Sequence, residues 1–519
     1  MSSKSYQALA SEIEALRAEL CEKEELIASL SASNQQLAEK LGSFASLQAQ
    51  NAGLSDEVEL LKRQLAGLQA KLNISSANSS APPSSDSPGK KAEARKSRSE
   101  RRREQRAKLK AEERRRGKQP GAPGKNLPMR DDPDNTVVHE PPHCSSCGKD
   151  LSGAEQAGDP ERRQVLDTPA PRLICTEHQG IRRRCSCGTV TTGDFPPEAK
   201  APVSYGCNVR ANTLYLLHGQ YLSMERTAET MSAMLGVEVS TGFVASLVKE
   251  AAGGLEGFME ELRRLLRETK VIHVDETPDQ VRTDTWYFHV VASELYTYLF
   301  ASSTRAKTAP DEAGVLLDFR GTMVHDRLRM YWNYDKATHA ICNAHILRDL
   351  DGVAAVASQE PWASGMKALL LEMNDAAHDA RAAGRSRLGR RKLEGFLERY
   401  DSLVDAGLGV NPEPPAGLKR DYLERKSYNL VCALCELKTE ATRFAKDLRV
   451  PFTNNDAERP LRMAKLHKKV SGCFQADDHA RHFAAIRSYL GTAAKHGVGA
   501  LEVLGLLFRG DAWMPPART

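Results

Sequence analysis

Val271-Ile-His-Val-Asp275-Glu-Thr-Pro278 reads as a buried strand that carries a carboxylate to its end, with Pro278 as the stop. Two further strand patterns follow, Thr285–Ala292 and Leu295–Ser302. A helix signal then spans Ala309–Phe319, and Gly321-Thr-Met-Val-His-Asp326 makes another strand that again ends in an aspartate. An aspartate at a strand end is commonly just a turn former. Two of them, on the first and last strands of a strand-strand-strand-helix-strand series, make half of a ribonuclease-H-like α/β core.

A third carboxylate, Glu458, lies in Pro451-Phe-Thr-Asn-Asn455-Asp-Ala-Glu458-Arg-Pro. With Asn455 as N-cap it falls at the third helical position, where it would serve equally as a capping-box glutamate. Beside the two aspartates it would instead complete a metal site. Arg462 and Lys465 follow one and two turns on, on the same face, and suit phosphate. Three carboxylates around one point suit two Mg²⁺ ions, with Mn²⁺ as a substitute, because these ions prefer oxygen ligands and keep positions open. Such a pair, roughly 3.5–4 Å apart, serves in-line phosphoryl displacement, the chemistry of DNA strand cleavage and transfer.

The rest of the 519-residue chain is modular, enough for three or four domains at about 150 residues each. Leu9, Ile13, Leu16, Leu20, Ile27, Leu30, Asn34, Leu37, Leu41 and Phe44 recur by threes and fours, interrupted once at Lys23. A three-residue slip leads to Leu47, Asn51, Leu54, Val58, Leu61, Leu65, Leu68 and Leu72, a stammer in a coiled coil. The alternative is one amphipathic helix packed on the body. Residues 73–88 are Ser/Pro-rich and read as a disordered linker.

Net charge is +5, yet Lys90–Lys118 alone holds 15 Lys/Arg against 5 Asp/Glu, so the rest of the chain is acidic. Arg101, Arg102, Arg103, Arg114, Arg115 and Arg116 are the densest part of this arm, which asks for a polyanion such as double-stranded DNA. Next, Cys144-Ser-Ser-Cys147-Gly and Cys185-Ser-Cys187-Gly have the spacing of a four-thiolate structural Zn²⁺ site. The second pair is tight, so His139, His143, Cys175 and His178 are alternative ligands. Met224–Leu235, a Gly-containing turn and Thr241–Ala251, with Ser240 or Thr241 as cap, have helix-turn-helix proportions. Any two-helix corner has them too.

With 27% charged residues and apolar runs far short of the ~20 residues of a membrane helix, a membrane protein is excluded. The acidic, heptad-patterned first thirty residues do not read as a secretory leader. Eleven cysteines, an odd number spread widely, fit a reducing cytoplasm.

These blocks together resemble the transposases of the insertion sequence 66 family, of the DDE superfamily. The likeness runs through NSSAPPSSD, GKQPGAPG, CSSCG, RRRCSCG, HVDET, MVHDR, HAICNAHILRDL, NNDAERPLRM, KVSGCF and RSYLGTAAKHGV. It implies Asp275, Asp326 and Glu458 as the catalytic triad, and Cys342 and His345 as the C/D-x-x-H motif of members with a helical insertion. The 132 residues from Asp326 to Glu458 leave room for that insertion. Trp332 or Trp362, in or near it, is a candidate to stack on a displaced base.

The expected fold class is multidomain α+β. Its segments are a coiled coil for homo-oligomerisation (1–73), linker and basic arm (74–130), zinc knuckle (131–200), helix-turn-helix (201–265), first core part (266–336), helical insertion (337–450) and last core part (451–519). The expected function is that of a bacterial insertion-sequence transposase. It would be cytoplasmic and nucleoid-associated, act on element ends and target DNA, and work with or without accessory transposition proteins. The rival readings are an inactive DNA-binding repressor or architectural relative, and a coiled-coil scaffold whose basic run binds RNA or acidic protein.

Overall fold

The computed structural model describes residues 3–40, positions 53–55, 57, 58, 61, 62 and 65, and 127–516 except 168–170, 197, 200, 357 and 414–421. The basic arm with Arg101, Arg102, Arg103, Arg114, Arg115 and Arg116, the Ser/Pro linker, and Leu41, Phe44, Leu47, Asn51, Leu68 and Leu72 of the heptad series lie outside the described residues. The chain forms two compact units, Lys91–Cys175 and Met1–Lys90 with Thr176–Thr519.

In the smaller unit, Cys144-Ser-Ser-Cys147-Gly148 is a tight turn. The Gly148 N–H donates to the Cys144 carbonyl at 2.9 Å, with Gly148 at φ +72°. In the larger unit, β1 (Arg182–Arg184) and β2 (Val190–Thr192) form a hairpin around Cys185-Ser-Cys187-Gly188. Its Gly188 donates to the Cys185 carbonyl at 2.9 Å and has φ +89°. Both turns need the left-handed conformation that glycine adopts without steric cost.

Helix α1 (Ser3–Lys40) keeps Leu9, Ile13, Leu16, Leu20, Ile27 and Leu30 less exposed than most of their neighbours. Lys23, the interruption in that stripe, pairs with Glu57, and Glu24 lies 3.7 Å from Lys62. Glu57 and Lys62 of the same chain therefore lie beside the helix.

The main body is α+β, built on a mixed five-stranded sheet of order β5-β4-β3-β6-β7. These strands are β3 (Val271–Val281), β4 (Asp284–Ala292), β5 (Thr297–Ser302), β6 (Thr322–His325) and β7 (Thr338–Ile341). β3, β4 and β5 form an antiparallel meander; β6 pairs parallel with β3, and β7 with β6. The parallel segments are covered on both faces, so all four residues of β6 are buried.

Three expectations change here. Pro278 does not stop β3, which continues to Val281 opposite β4. The register with β6 ends at His273, so beyond it a ring lacking an N–H can be tolerated along the side that β6 has left. The helix expected over 309–319 is only one turn, Thr308–Glu312, plus a 3₁₀ turn at Leu316–Asp318. Gly314 between them, at φ +72°, breaks the α-helical path. And β7 lies at the start of the segment read as wholly helical.

After β7 come α-helices Asn343–Ala354, Glu360–Ala382, Arg390–Val410 and Tyr422–Glu436, with their own apolar core. Trp362 belongs to that core, 3% exposed, its indole N–H donating to Gln359 at 2.7 Å. Trp332 packs against His325 and His339. Trp362 is thus committed to the core, while Trp332 is half-buried against the two histidines.

The outer strand β5 is closed by helix Asp477–Lys495. Ser488 accepts from the Leu299 N–H at 2.8 Å and Thr492 from the Thr297 N–H at 3.1 Å. Two hydroxyls of RSYLGTAAK thus satisfy an edge that would otherwise be open to pairing. Before the sheet, Met224–Leu235 and Thr241–Gly253 are helices joined through Gly236 at φ +68°. Ser240 caps the second, accepting from the Phe243 N–H at 3.1 Å.

Candidate active site

Parallel pairing of β3 with β6 sets His273 opposite Val324. Two residues further on stand Asp275, midway along β3, and Asp326, just past the end of β6, so the register brings both aspartates to the point where β6 stops. The Glu276 N–H donates to Asp275 Oδ1 at 2.9 Å, and the Leu328 N–H donates to Asp326 Oδ1 at 2.8 Å. Burial pushes the Asp275 carboxyl up to about 8, helped by the negative charges of Glu276, Asp326 and Glu458. Burial also raises Asp326, as does Glu276, while the Leu328 N–H, Arg305 and Arg327 pull it back.

Glu458 arrives from helix Asn455–Ser471, whose N-cap is Asn454 and not Asn455. No side chain caps this helix, so the capping-box reading of Glu458 falls. The Asn454 amide is engaged elsewhere: Nδ2 donates to the Val274 carbonyl at 2.8 Å, and Oδ1 lies 3.0 Å from His273 Nδ1. Its backbone N–H donates to Cys342 Sγ at 3.2 Å. One buried residue thereby pins the start of Glu458's helix to β3 and to the end of β7. Glu458 Oε2 accepts from Arg462 Nη2 at 3.0 Å, while Oε1 is buried without a hydrogen-bond partner.

Several residues that the sequence did not single out belong to this corner. The Glu276 side chain is 2% exposed, accepting from Arg305 Nε at 2.9 Å and from the Tyr331 hydroxyl at 2.6 Å. An acid directly after Asp275 was the available signal for Glu276; nothing in the spacing of Arg305 or Tyr331 marks them. His325, directly before Asp326, is held neutral by burial at about 3 and lies 3.0 Å from His339.

Cys342 is the N-cap of helix Asn343–Ala354, and His345 lies in its first turn. Ligand atoms of Cys342, His345 and Glu458 lie within 4.8 Å of one another. Burial raises the Cys342 thiol to about 11 and lowers His345, whose Nδ1 has no partner. Arg462 and Lys465 are exposed on Glu458's helix, Arg462 already paired to Glu458. Cys144 and Cys147 belong to one unit, Cys185 and Cys187 to the other.

The sequence profile of the transposase IS66 family matches residues 202–482. The chain belongs to this family. The matched span takes in Asp275, Asp326, Cys342, His345 and Glu458, so the carboxylate corner sits inside the transposase portion, that of a nucleic-acid-processing enzyme. No curated protein matches the chain. None of the transposase's described helices is long and apolar enough to cross a membrane.

Proposed function

We propose that this transposase cleaves DNA strands at its element ends and joins the freed 3′-hydroxyl to target DNA. Asp275, Asp326 and Glu458 would act as a DDE triad on a ribonuclease-H-like core. The observation that carries the reading is that Asp275 is buried and feels the charges of Glu276, Asp326 and Glu458, which together raise it to about 8. Acids gathered in this way are destabilising to the bare protein and mark functional sites.

The same corner fits divalent ions. The Asp275 charge, buried among other acids, is unfavourable without a cation. Asp275, Asp326 and Glu458 would hold Mg²⁺ or Mn²⁺, and a bound pair of such ions would activate the attacking oxygen and stabilise the leaving one. On the protein's side, the proton held on Asp275 must leave as cations load. Glu276 stays engaged by Arg305 and Tyr331 and so keeps β3 in place. Asn454 fixes the helix that presents Glu458, and Lys465 with Arg462 offers positive charge to a phosphate nearby.

The basic run around Arg101–Arg103 and Arg114–Arg116 would bind DNA of any sequence, and the Met224–Gly253 helix pair would add contacts at element ends. Cys144, Cys147, Cys185 and Cys187 are the proposed ligands of structural Zn²⁺, and hydrogen bonding with Thr189 lowers Cys187 to about 7. Self-association through the N-terminal heptads belongs to the same proposal.

The test is strand transfer by the full chain on oligonucleotides bearing the element ends, with Mg²⁺. Asp275→Asn, Asp326→Asn and Glu458→Gln should each abolish transfer while DNA binding persists. Transfer at the wild-type rate by any of the three overturns the mechanism. Metal-independent DNA binding by the wild-type chain with no cleavage would leave an architectural relative.

A further inference from the structure

We propose that Cys342, His345 and Glu458 form a second metal site, selective for a soft divalent ion such as Zn²⁺, whose occupation withdraws Glu458 from the carboxylate corner. The inhibitory half of this proposal rests on Glu458 acting as the third member of the triad. The binding half does not.

The donor set decides which metal is concerned. Mg²⁺ and Mn²⁺ take oxygen ligands, whereas a thiol, an imidazole and one carboxylate are the mixed set that Zn²⁺ prefers. Ligands of one tetrahedral zinc with bonds of about 2.0–2.3 Å stand about 3.5 Å apart. Here the three ligand atoms already lie within 4.8 Å of one another. Small side-chain rotations would close the site, leaving a fourth position for water.

Two orphaned atoms point the same way. Glu458 Oε1 and His345 Nδ1 are buried without hydrogen-bond partners, each an unfavourable state that a bound cation would relieve. The ligands are also held from outside. Cys342 Sγ accepts from the Asn454 N–H at 3.2 Å, and Arg462 donates to the other Glu458 oxygen at 3.0 Å. Such outer contacts orient metal ligands. Cys342 also stands at the N-terminus of a 12-residue helix, which favours a thiolate.

Loading is a simple exchange. Zn²⁺ binds the sulfur as the Cys342 thiol gives up its proton to solvent, one proton per ion, with no redox change. A Glu458 oxygen bonded to zinc beside Cys342 and His345 is not available to Mg²⁺ held by Asp275 and Asp326.

The test titrates Co²⁺, a spectroscopic substitute for Zn²⁺, into metal-stripped full-length protein without DNA or Mg²⁺. Thiolate-to-cobalt absorption and bound stoichiometry are read for wild type, Cys342→Ala and His345→Gln, and in a Cys144→Ser/Cys147→Ser background that removes the knuckle pair. The proposal predicts that Cys342→Ala loses one bound equivalent in either background. Unchanged stoichiometry in Cys342→Ala overturns it, and should that variant not fold, His345→Gln decides in the same way. A second readout is the ratio of Mg²⁺-supported strand transfer without and with added Zn²⁺. It should be about tenfold or more in wild type and near unity in Cys342→Ala. Equal ratios in the two overturn the inhibitory half. No transfer by wild type at all, with the cobalt site intact, would instead count against the triad reading.

Discussion

The sheet end at Asp275 and the helix pair Met224–Gly253 are built by opposite rules. In the helix pair the local preferences are met, except that the buried Thr227 hydroxyl lacks a hydrogen-bond partner. Ser223 and Ser240 cap their helices, Gly236 closes the first at φ +68°, and Met231, Val244, Leu247 and Val248 are buried. Exposed charge is balanced, with Arg226 beside Glu225 and Glu229, and Lys249 beside Glu250. At the sheet end, by contrast, Asp275, Glu276, Asp326 and Glu458 crowd together, and an oxygen of Glu458 has no partner. A region whose caps are made and whose charges are balanced says only that it folds. A region that violates burial and charge rules, held in place by its surroundings, says that something else is bound there.

The comparison breaks or holds by substitution. The largest effect should come from Asp326→Asn, which lowers strand transfer by about a thousandfold or more, several kcal/mol of transition-state stabilisation. Lys249→Ala in the helix pair should leave the rate of the saturated DNA complex unchanged. Single-turnover kinetics on end oligonucleotides separate the two.

Next is Asn454→Ala, which strips partners from the Val274 carbonyl and the His273 ring. It should cost about 2–4 kcal/mol in denaturant unfolding, because buried groups left unpaired cost more than the bond gained. Transfer should fall as well, since the start of Glu458's helix is freed.

A smaller effect concerns pH. In metal-free protein Asp275 has a folded value near 8, well above the ordinary value of about 4. Between these the folded state holds more protons than the unfolded, so stability falls as pH rises through that window. The thermal midpoint in chelator should drop by a few degrees from pH 5 to pH 8. Asp275→Asn should flatten that slope, and Mg²⁺ should reduce it in the wild type.

The smallest effect should be Ser240→Ala, costing about 1 kcal/mol through loss of a helix cap, with no change in metal dependence.

What could be read from the sequence divides along the same line. Local signals were legible: the apolar runs ending in Asp275 and Asp326, both helices of the pair, and the cap at Ser240. The two cysteine turns were legible too, because C-x-x-C-Gly and C-x-C-Gly fix a local conformation. Long-range pairing was not. Asn454 meets His273 across 181 residues, and Arg305 meets Glu276 across 29, with no local pattern to announce either. The strand Thr338–Ile341 has four residues, too few to establish a period, and it opens a segment otherwise helical. Pro278 misled because a proline signals a strand end only where both strand edges are paired.

The central claim is that the three carboxylates share divalent ions. Its most direct test is the Mn²⁺ bound by full-length protein, followed by paramagnetic resonance, in wild type, Asp275→Asn and Asp326→Asn. The account predicts Mn²⁺ bound by the wild type and its loss in both variants, with the fold intact. The same Mn²⁺ stoichiometry and affinity in all three proteins would contradict it.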